Sequence, residues 1–328
     1  MTERKSSNLA LKIIAIFLSV AIIVVASLIL INIWEKNCGK FKGDGFTTAT
    51  DTVEFGGQKY TLKDNIETLL ILGLDKTAQV SGDSYNNEMQ ADFLLLLVID
   101  NKNSECKAIH INRDTVAEMN VLGVAGDKVG TTTKQIALSH TYGNGREVSC
   151  RNTANAVSKL LMDIKIDHYV SVTMDVVPVV NDLVGGVELE ILEDFSEVDE
   201  TLVKGQTVNL NGQQALTYIR TRYGLNDPSN STRMVRQKQY IKALYEKAML
   251  AIEKDNSFIS SASLKLSKSF VSDCSANKLE SYLKKVSEYS LKEILNLEGE
   301  NKMGEEFIEF YPTEASLKET VINAFYEK

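Results

Sequence analysis

Two apolar runs, LLILGL at residues 69–74 and FLLLLVI at residues 93–99, decide the fold of this 328-residue chain. Each run is short and contains no polar residue, which is the pattern of a strand covered on both faces by helices rather than of a half-exposed strand. An aspartate stands at one end of each run. Asp75 follows the first run, and Asp92 precedes the second. The runs therefore predict two buried strands with a carboxylate where each opens onto a loop.

These two aspartates admit two interpretations. Carboxylates at strand ends can bind a divalent metal ion, whereas a single aspartate beside a strand is commonly a turn or capping residue. A third strand is predicted at 107–112, and it delivers the ion-pairing set Arg113-Asp114-Thr115 at its end. Charged residues are thus expected at several strand ends.

Hydrophobic periodicity places the remaining elements. It predicts strands at 168–173, 187–192 and 307–311, and helices at 131–142, 152–162, 176–183, 211–218, 279–295 and 316–326. Strands that alternate with helices indicate an α/β fold, a sandwich around a mixed or largely parallel sheet. Three prolines, no biased tract and no repeat argue against linkers, so residues 64–328 are expected to form one domain.

The N-terminal region differs from the rest of the chain. Residues 13–31 are apolar except for two serines, and a helix of that length spans about 28 Å, enough for a hydrocarbon core. Because basic residues precede the run, the positive-inside rule predicts a cytoplasmic tail at 1–10, a transmembrane helix at 11–33, and a stalk at 34–63 that leads to an extracytoplasmic body. A cleaved signal peptide is the alternative, but the run is long for one and no convincing cleavage site follows it.

Four cysteines, Cys38, Cys106, Cys150 and Cys274, lack the CxxC or His-rich spacing of a zinc site. An extracytoplasmic body permits a disulfide. We predict one between Cys106 and Cys150 because both fall on predicted core elements, with four separate thiols as the alternative.

A second informative stretch is YIRTRYGLNDPSNSTRMVRQKQY at 218–240. It carries Arg220, Arg222, Arg233 and Arg236 in a chain of net charge −8, so its local charge opposes the global one. Arg233 and Arg236 share a helical face, whereas Arg220 and Arg222 share a side only in extended chain. A loop that folds one pair over the other would cluster guanidinium groups, which bind phosphate oxygens in bidentate fashion.

The arginines have a simpler interpretation as surface ion pairs with some of the 44 acidic residues. Nucleic-acid binding is a third interpretation, and both the negative net charge and the predicted external location argue against it. Spacing alone does not decide between phosphate binding and surface pairing.

In the order of its motifs the sequence resembles the LytR-CpsA-Psr family of bacterial envelope proteins. The resemblance is strongest over residues 69–244. It rests on LLILGLD at 69–75, ADFLLLLVID at 91–100, INRDT at 111–115, KQIALSHTYGNG at 134–145, IDHYVSV at 166–172, LVGGVEL at 183–189, LNGQQALTYIRTR at 210–222 and RMVRQ at 233–237. One such piece is weak evidence, and eight in family order are strong.

The resemblance implies a phosphotransferase that moves a wall glycopolymer from a polyprenyl-pyrophosphate carrier in the membrane lipid onto a peptidoglycan acceptor. It also implies an α/β/α sandwich with an apolar tunnel for the lipid tail. Residues such as Leu95, Leu97, Val170 and Val172 would line that tunnel, although by pattern alone they fill an ordinary core. A membrane-tethered module that binds the carrier without turnover is the alternative function.

Position by position, the resemblance assigns an acidic pair to a divalent ion, Mg²⁺ or Mn²⁺, and arginines to the pyrophosphate. In such a site the cations stabilise charge that grows on the transferring and leaving phosphates, and Asp92 or Asp227 is the candidate proton acceptor. Arg236 joins the set because it shares a helical face with Arg233. The candidate residues are Asp75 and Asp92 for the metal; Asp92, Arg113, Arg220 and Arg222 for catalysis; and Arg113, Arg220, Arg222, Arg233, Arg236 and Gln237 for substrate binding.

Four features depart from the family pattern, and the first is a missing arginine near Lys76 or Thr77, after Gly-x-Asp. Gln90 stands where the family usually has an arginine, Asn112 where it has a proline, and Asn230 where it has an aspartate. An altered substrate preference and a loss of activity both explain these departures.

The predicted topology gives a first test. In a background with Cys38 replaced by serine, a membrane-impermeant thiol reagent should label Gly43→Cys in intact cells, because the positive charges that precede the apolar run hold the tail inside. The matched control is Ser6→Cys, which should react only after lysis. The opposite pattern would place the body inside the cell and end the interpretation as a wall enzyme.

Overall fold

A computed structural model of the chain describes residues 49–76, 88–222, 224–225, 230–255, 258, 265–266 and 269–328. The predicted cytoplasmic tail and transmembrane helix, residues 1–33, lie outside these described residues. Within the described part of the chain, no helix has the length and apolar character needed to cross a membrane.

The chain packs as two compact units. Among the described residues, the sheet unit comprises residues 49–76, 88–173, 270–274 and 292–328, and the helical unit comprises those of 174–269 and 275–291. The domain predicted for 64–328 includes parts of both units, and its boundaries remain a prediction.

The elements follow one another in a mixed α/β order. In chain order they are β1 (Thr52–Phe55), β2 (Gln58–Leu62), β3 (Ile66–Leu74), β4 (Ala91–Asp100), β5 (Glu105–Ile111), β6 (Val116–Leu122), β7 (Lys128–Gln135), a 3-10 helix (Ile136–Thr141), α1 (Glu147–Leu160), β8 (His168–Thr173), α2 (Val176–Leu183), β9 (Val187–Glu190), β10 (Thr207–Leu210), α3 (Gly212–Arg220), α4 (Asn230–Lys254), β11 (Phe270–Ser272), α5 (Ala276–Glu288), β12 (Ser290–Asn296), β13 (Gly299–Met303), β14 (Ile308–Pro312), α6 (Glu314–Phe325) and β15 (Tyr326–Glu327).

The sheet unit is built on a six-stranded sheet in the order β11-β8-β3-β4-β5-β12. Strand β3 pairs antiparallel with β4 and parallel with β8. The β4–β5 and β8–β11 pairs are antiparallel. The predicted mixed sheet is therefore confirmed.

The two apolar runs form the centre of this sheet as β3 and β4. Leu70 and Leu96 are cross-strand partners on the face that joins the main core cluster, which also takes in side chains of α1 and α6. Their neighbours Ile71 and Leu95 point to the other face and are also buried. Both faces of the pair are thus removed from water, as the uninterrupted apolar runs predicted.

In the helical unit, α3 is fixed at its start by a capping box. The Asn211 side chain accepts a hydrogen bond from the Gln214 backbone N–H, and the Gln214 side chain accepts one from the Asn211 N–H. At Gly212, an added Cβ would lie 2.6 Å from the carbonyl oxygen of Pro178 in α2. The glycine therefore allows the close approach of α2 and α3, and the helix predicted at 211–218 is confirmed as α3.

Two element predictions were wrong. Residues 131–142, predicted as a helix, begin within β7 and continue as the 3-10 helix; β7 pairs antiparallel with β6. Its run of β-branched threonines, Thr131 to Thr133, suits a strand better than a helix. The helix predicted at 279–295 ends at Glu288, and the chain continues as β12.

The predicted Cys106–Cys150 disulfide is also wrong, because neither cysteine forms a disulfide and both are buried. Side chains alternate along β5, where Ile109 and Ile111 face the main core cluster that contains Cys150. Cys106 therefore lies on the opposite face of the sheet from Cys150. Two cysteines on predicted core elements can thus be buried on different sides of one sheet.

Candidate functional site

The β3–β4 pair ends in a bulge that contains Asp92. Gly73 pairs with Phe93 and Leu74 pairs with Ala91, so Asp92 is the extra residue between two ladder positions. A Cβ added to Gly73 would lie 2.9 Å from the Phe93 Cβ, so the glycine permits this close pairing. Bulges redirect side chains at sheet ends, and here one places a buried carboxylate, 8% exposed, beside the loop.

Beyond the bulge, Asp75 and Gln90 continue the contact between the two chain segments. The Asp75 N–H donates to the Gln90 carbonyl at 3.1 Å, and the Gln90 N–H donates to Asp75 Oδ1 at 2.8 Å. These two bonds fix the Asp75 carboxylate near the end of the strand pair.

Arg113, which follows β5, joins these residues. Its guanidinium donates to the Asp92 carboxylate and to the Gln90 side-chain oxygen. Its Nε lies 3.3 Å from Asp114 Oδ1. The sheet unit therefore brings together both predicted metal ligands and one predicted arginine, with Gln90 as a fourth member.

Asp114, which is 1% exposed, forms an ion pair with Arg113. Its backbone N–H donates to the Asn112 side-chain oxygen at 2.9 Å. Its carboxylate accepts a hydrogen bond from Gln135 Nε2 at 3.3 Å, and Phe310 N–H donates to its carbonyl at 2.8 Å. Asp114 is thus a structural partner of the arginine, held on several sides.

The environment of Asp75 disfavours the negatively charged form of its carboxyl group. Burial raises the pKa of Asp75 above its ordinary value, and the Asp92 charge adds to this effect. The Gln90 N–H, Arg113 and Lys76 act in the opposite direction without cancelling it. A carboxylate whose charged form is disfavoured by burial and by a neighbouring charge is a local feature that a cation would relieve.

Buried polar contacts link His140 to Met89, the residue before Gln90, and to Cys150. No sequence motif predicts these contacts. His140 Nδ1 lies 3.1 Å from the carbonyl oxygen of Met89, and its Nε2 lies 3.5 Å from Cys150 Sγ. Burial lowers the pKa of His140 to about 4 and raises the pKa of Cys150 to about 12. Burial thus favours the neutral form of both groups, and the contact of His140 with the Met89 carbonyl holds the segment before Gln90.

In the helical unit, Arg236 is fully buried and its guanidinium is occupied by protein groups. It donates to the Tyr218 carbonyl and, at 2.5 Å, to the Thr221 carbonyl. Its Nε lies 2.6 Å from Glu193 Oε2, an ion pair without hydrogen-bond alignment, and its Cζ is 5.0 Å from the centre of the Phe195 ring. These contacts fix the C-terminal end of α3.

The neighbouring residues on α4 extend this arrangement. Gln237 Nε2 donates to the Ile219 carbonyl at 3.3 Å, and Arg233 Nε donates to the Asn230 side-chain oxygen at 2.8 Å. Together, Arg236 and Gln237 hold three carbonyls, those of residues 218, 219 and 221. Arg220, which is exposed, lies among them, and the half-buried Arg222 follows.

The candidate residues therefore form two sets, one within each unit. Asp75, Asp92 and Arg113 share hydrogen bonds or charge interactions in the sheet unit. In the helical unit the α4 side chains support the segment that carries Arg220 and Arg222. Substrate contact by Arg236 stays a prediction, and Asp227, a candidate proton acceptor, lies outside the described residues.

Comparison with known proteins places these observations in a family context. Residues 41–324 match the LytR_cpsA_psr family. A curated relative, the polyisoprenyl-teichoic acid–peptidoglycan teichoic acid transferase TagV of Bacillus subtilis (strain 168), is 31% identical over 194 residues, which cover 55% of this chain and 43% of TagV. The transferase of the same description from Bacillus cereus, TagU, is 28% identical over 181 residues, or 55% of this chain and 52% of TagU. The match spans about half the length of these relatives.

A solved structure shows the same fold. The crystal structure of B. subtilis TagV has a TM-score of 0.56 and 24% identity, covering 80% of this chain and 98% of that chain. An identity this low supports the fold alone, which is α/β with a central mixed sheet.

The contacts of Arg236 predict a stability difference between two arginines of one segment. Arg236→Leu should lower the free energy of unfolding by about 3–5 kcal/mol, because it leaves Glu193 with a poorly compensated charge and removes the donors to two carbonyls. Arg220→Leu, at an exposed position, should change it by less than about 0.5 kcal/mol. Urea unfolding of the two variants measures both effects, and equal small losses would show that Arg236 does not hold the end of α3.

The raised pKa of Asp75 predicts a pH-dependent gain from Asp75→Asn in chelator-treated protein. The folded chain binds this proton more tightly than the unfolded chain, so the wild type loses stability as pH rises from the ordinary value of 3.8 through the folded pKa. Asp75→Asn removes that loss and should be more stable than the wild type at pH 7, with a smaller difference near pH 4.

Chemical denaturation at the two pH values measures the difference. Asp127→Asn, at an exposed hairpin position, is the matched control and should show no comparable pH-dependent gain. A variant that is less stable than the wild type at pH 7 would mean that the Asp75 charge is favourable in the fold.

Proposed function

This chain belongs to the LytR_cpsA_psr family, and we propose that it transfers a polyprenyl-pyrophosphate-linked glycopolymer, as a phosphodiester, onto a hydroxyl of peptidoglycan. The observation that carries the proposal is the Asp75–Asp92–Arg113 arrangement at the β3–β4 bulge, which combines two carboxylates and a guanidinium at the end of a rigid strand pair. The curated relatives described as polyisoprenyl-teichoic acid–peptidoglycan transferases support the reaction class.

The donor set suits a divalent cation with a preference for oxygen. Asp75 and Asp92 would hold Mg²⁺ or Mn²⁺, since Mg²⁺ commonly binds one or two carboxylates together with substrate phosphates. Such an ion supplies Lewis-acid stabilisation of phosphoryl oxygens when bound. The raised pKa of Asp75, caused by burial and by the nearby Asp92 charge, supports this assignment, because a bound cation would favour the charged form of Asp75.

The arginines take the pyrophosphate in this proposal. Arg113, Arg220 and Arg222 bind phosphate oxygens and stabilise the charge that develops on them during transfer. Arg233 and Gln237 are assigned to further contacts with the head group. Arg236 acts through its neighbours, because its observed contacts hold the carbonyls on either side of Arg220.

The residues that depart from the family pattern at positions 90, 112 and 230 make hydrogen bonds within or next to the proposed site. Gln90 accepts a hydrogen bond from Arg113, Asn112 accepts one from the Asp114 N–H, and Asn230 accepts one from Arg233. Each amide thus supports a charged residue of the proposed site or its neighbour. A neutral Gln90 also leaves less positive charge near Arg113 than an arginine would, which favours a change in substrate preference.

The lipid tail and the membrane complete the proposal. We assign the transmembrane anchor to residues 11–33 and place the body outside the cell. Leu95, Leu97 and Val170 lie on the sheet face that does not join the main core cluster, and all are buried. That apolar face is the candidate lining for a tunnel that accepts the polyprenyl chain in an α/β/α sandwich.

The test is turnover of a defined substrate by the full chain in detergent. A polyprenyl-pyrophosphate-linked oligosaccharide and a peptidoglycan fragment are supplied with Mg²⁺, and release of polyprenyl phosphate is measured together with the glycopolymer-bearing product. Arg222→Ala should lower kcat/KM by about 30- to 700-fold, because it removes about 2–4 kcal/mol of transition-state stabilisation. Arg222→Lys should recover only part of this loss, since lysine keeps the charge but not the planar fork.

Two controls distinguish the possible outcomes. Arg151→Ala, on α1, should leave kcat/KM close to the wild-type value, and Asp75→Asn should weaken both turnover and its dependence on Mg²⁺. Tight binding of the lipid without product by the wild type would favour the membrane-tethered binding module. Arg222→Ala that melts the protein yet binds the lipid normally would assign the arginine to the fold.

A further inference from the structure

A second group of metal-ligand side chains lies at the edge of the six-stranded sheet, formed by His168, Asp273 and Cys274. Strand β11 is the outermost strand and pairs antiparallel with β8, with Ser272 opposite Val170. The chain that leaves β11 therefore runs beside the start of β8, where His168 stands. One nitrogen, one oxygen and one sulfur atom from the three side chains all lie within 4.8 Å of one another.

The backbone around this group is held by several hydrogen bonds. The Tyr169 N–H donates to Asp273 Oδ1 at 2.9 Å, and Ser272 Oγ donates to the Tyr169 carbonyl at 2.7 Å. The Cys274 N–H donates to Ser272 Oγ at 3.0 Å. Two segments about 100 residues apart in sequence are thus fixed side by side before any ion binds.

The ligand types select the class of ion. Imidazole, carboxylate and thiolate together suit a borderline-soft transition metal such as Zn²⁺, whereas Mg²⁺ and Ca²⁺ take oxygen ligands. A thiolate and a carboxylate carry two negative charges, which match one divalent ion. Three protein ligands leave a fourth position for water, as in open zinc sites.

Burial provides both an inner ligand and a route of access. Cys274 is 2% exposed, whereas the side chains of His168 and Asp273 are 29% and 31% exposed. An ion can therefore enter from the solvent side and meet the thiol last. The His168–Asp273 contact of 3.3 Å is the interaction that the ion would replace, with small rotations of two partly exposed side chains.

We propose that His168, Asp273 and Cys274 bind Zn²⁺ at this sheet edge, as a site separate from Asp75 and Asp92. Binding forms the zinc–sulfur bond as the thiol proton passes to solvent, and no electron is transferred. The ion joins the strand that precedes residues 174–269 to the strand that follows them. Its expected effect is to stabilise the β8–β11 pair, since a cross-link that closes a long loop restricts the unfolded chain.

Cobalt substitution tests the ligand set directly. The reduced, metal-free full chain is titrated with Co²⁺, and the wild type should develop the intense thiolate-to-cobalt charge-transfer absorption that only a sulfur ligand produces, with an intensity that corresponds to one ion per chain. Co²⁺ bound by Asp75 and Asp92 would not contribute to this absorption. Zn²⁺ should displace the Co²⁺ and raise the Tm. Cys274→Ser should abolish the charge-transfer absorption, whereas Cys106→Ala, another buried thiol, should retain it.

Two further variants keep the result independent of folding defects and of the proposed transferase site. Asp273→Asn preserves an oxygen that accepts from Tyr169 N–H and removes only the charge, so it should fold and bind at least about tenfold more weakly. Asp75→Asn should bind Zn²⁺ at this site as the wild type does. A folded wild type without the thiolate absorption at stoichiometric Co²⁺, or an absorption that survives Cys274→Ser, would overturn the proposal.

Discussion

The burial of β3 and β4 on both faces is the constraint on which the rest of the sheet unit depends. Neither strand can carry a charge along its apolar run, because an isolated charge there would lose its hydration without a partner. Charged groups can enter only where the ladder ends, and the bulge at Asp92 with Gly73 opposite Phe93 is where that occurs. β5 lies next to β4 and ends close by, so Arg113 meets the bulge from the neighbouring strand. Core packing and site geometry are thus two consequences of one strand pair.

Arg113 and Arg236 show how acceptor groups reduce the desolvation penalty of a buried or half-buried guanidinium. Arg113 is surrounded by Asp92, Asp114 and the Gln90 amide, and Arg236 by Glu193, two carbonyls and an aromatic ring. A buried guanidinium needs its planar set of donors matched by acceptors on several sides. Arg113 lies at the strand end and donates to two side chains there, whereas Arg236 donates to backbone carbonyls. Two arginines with similar sequence signals can therefore differ in role because their acceptors differ.

The sequence predicted correctly those elements whose local hydrophobic pattern matches their packing in the fold. Uninterrupted apolar runs located β3 and β4, and hydrophobic periodicity located α3. The helix predicted at 131–142 failed because pairing of β7 with β6 decides that segment, and a partner strand leaves no mark in local periodicity. The Cys106–Cys150 pairing failed because residue spacing does not say which face of a sheet a helix covers. Glu193, the partner of Arg236, lies 43 residues away in sequence and carries no motif, and the grouping of His168 with Asp273 and Cys274 requires the β8–β11 register.

The electrostatics of the proposed transferase site link stability to function. Burial and the nearby charge of Asp92 both disfavour the charged form of Asp75. We therefore expect the ligand-free fold to be less stable with a charged Asp75 than with a neutral side chain of the same shape. A fold optimised for stability alone would replace one of these two carboxylates by an amide of the same shape. Retention of both carboxylates is physically reasonable if a cation binds the folded state, because a ligand that binds only the folded chain adds RT ln(1 + [L]/Kd) to its stability. If such a cation binds, the unfavourable charge of Asp75 in the ligand-free protein becomes part of the affinity for the ion.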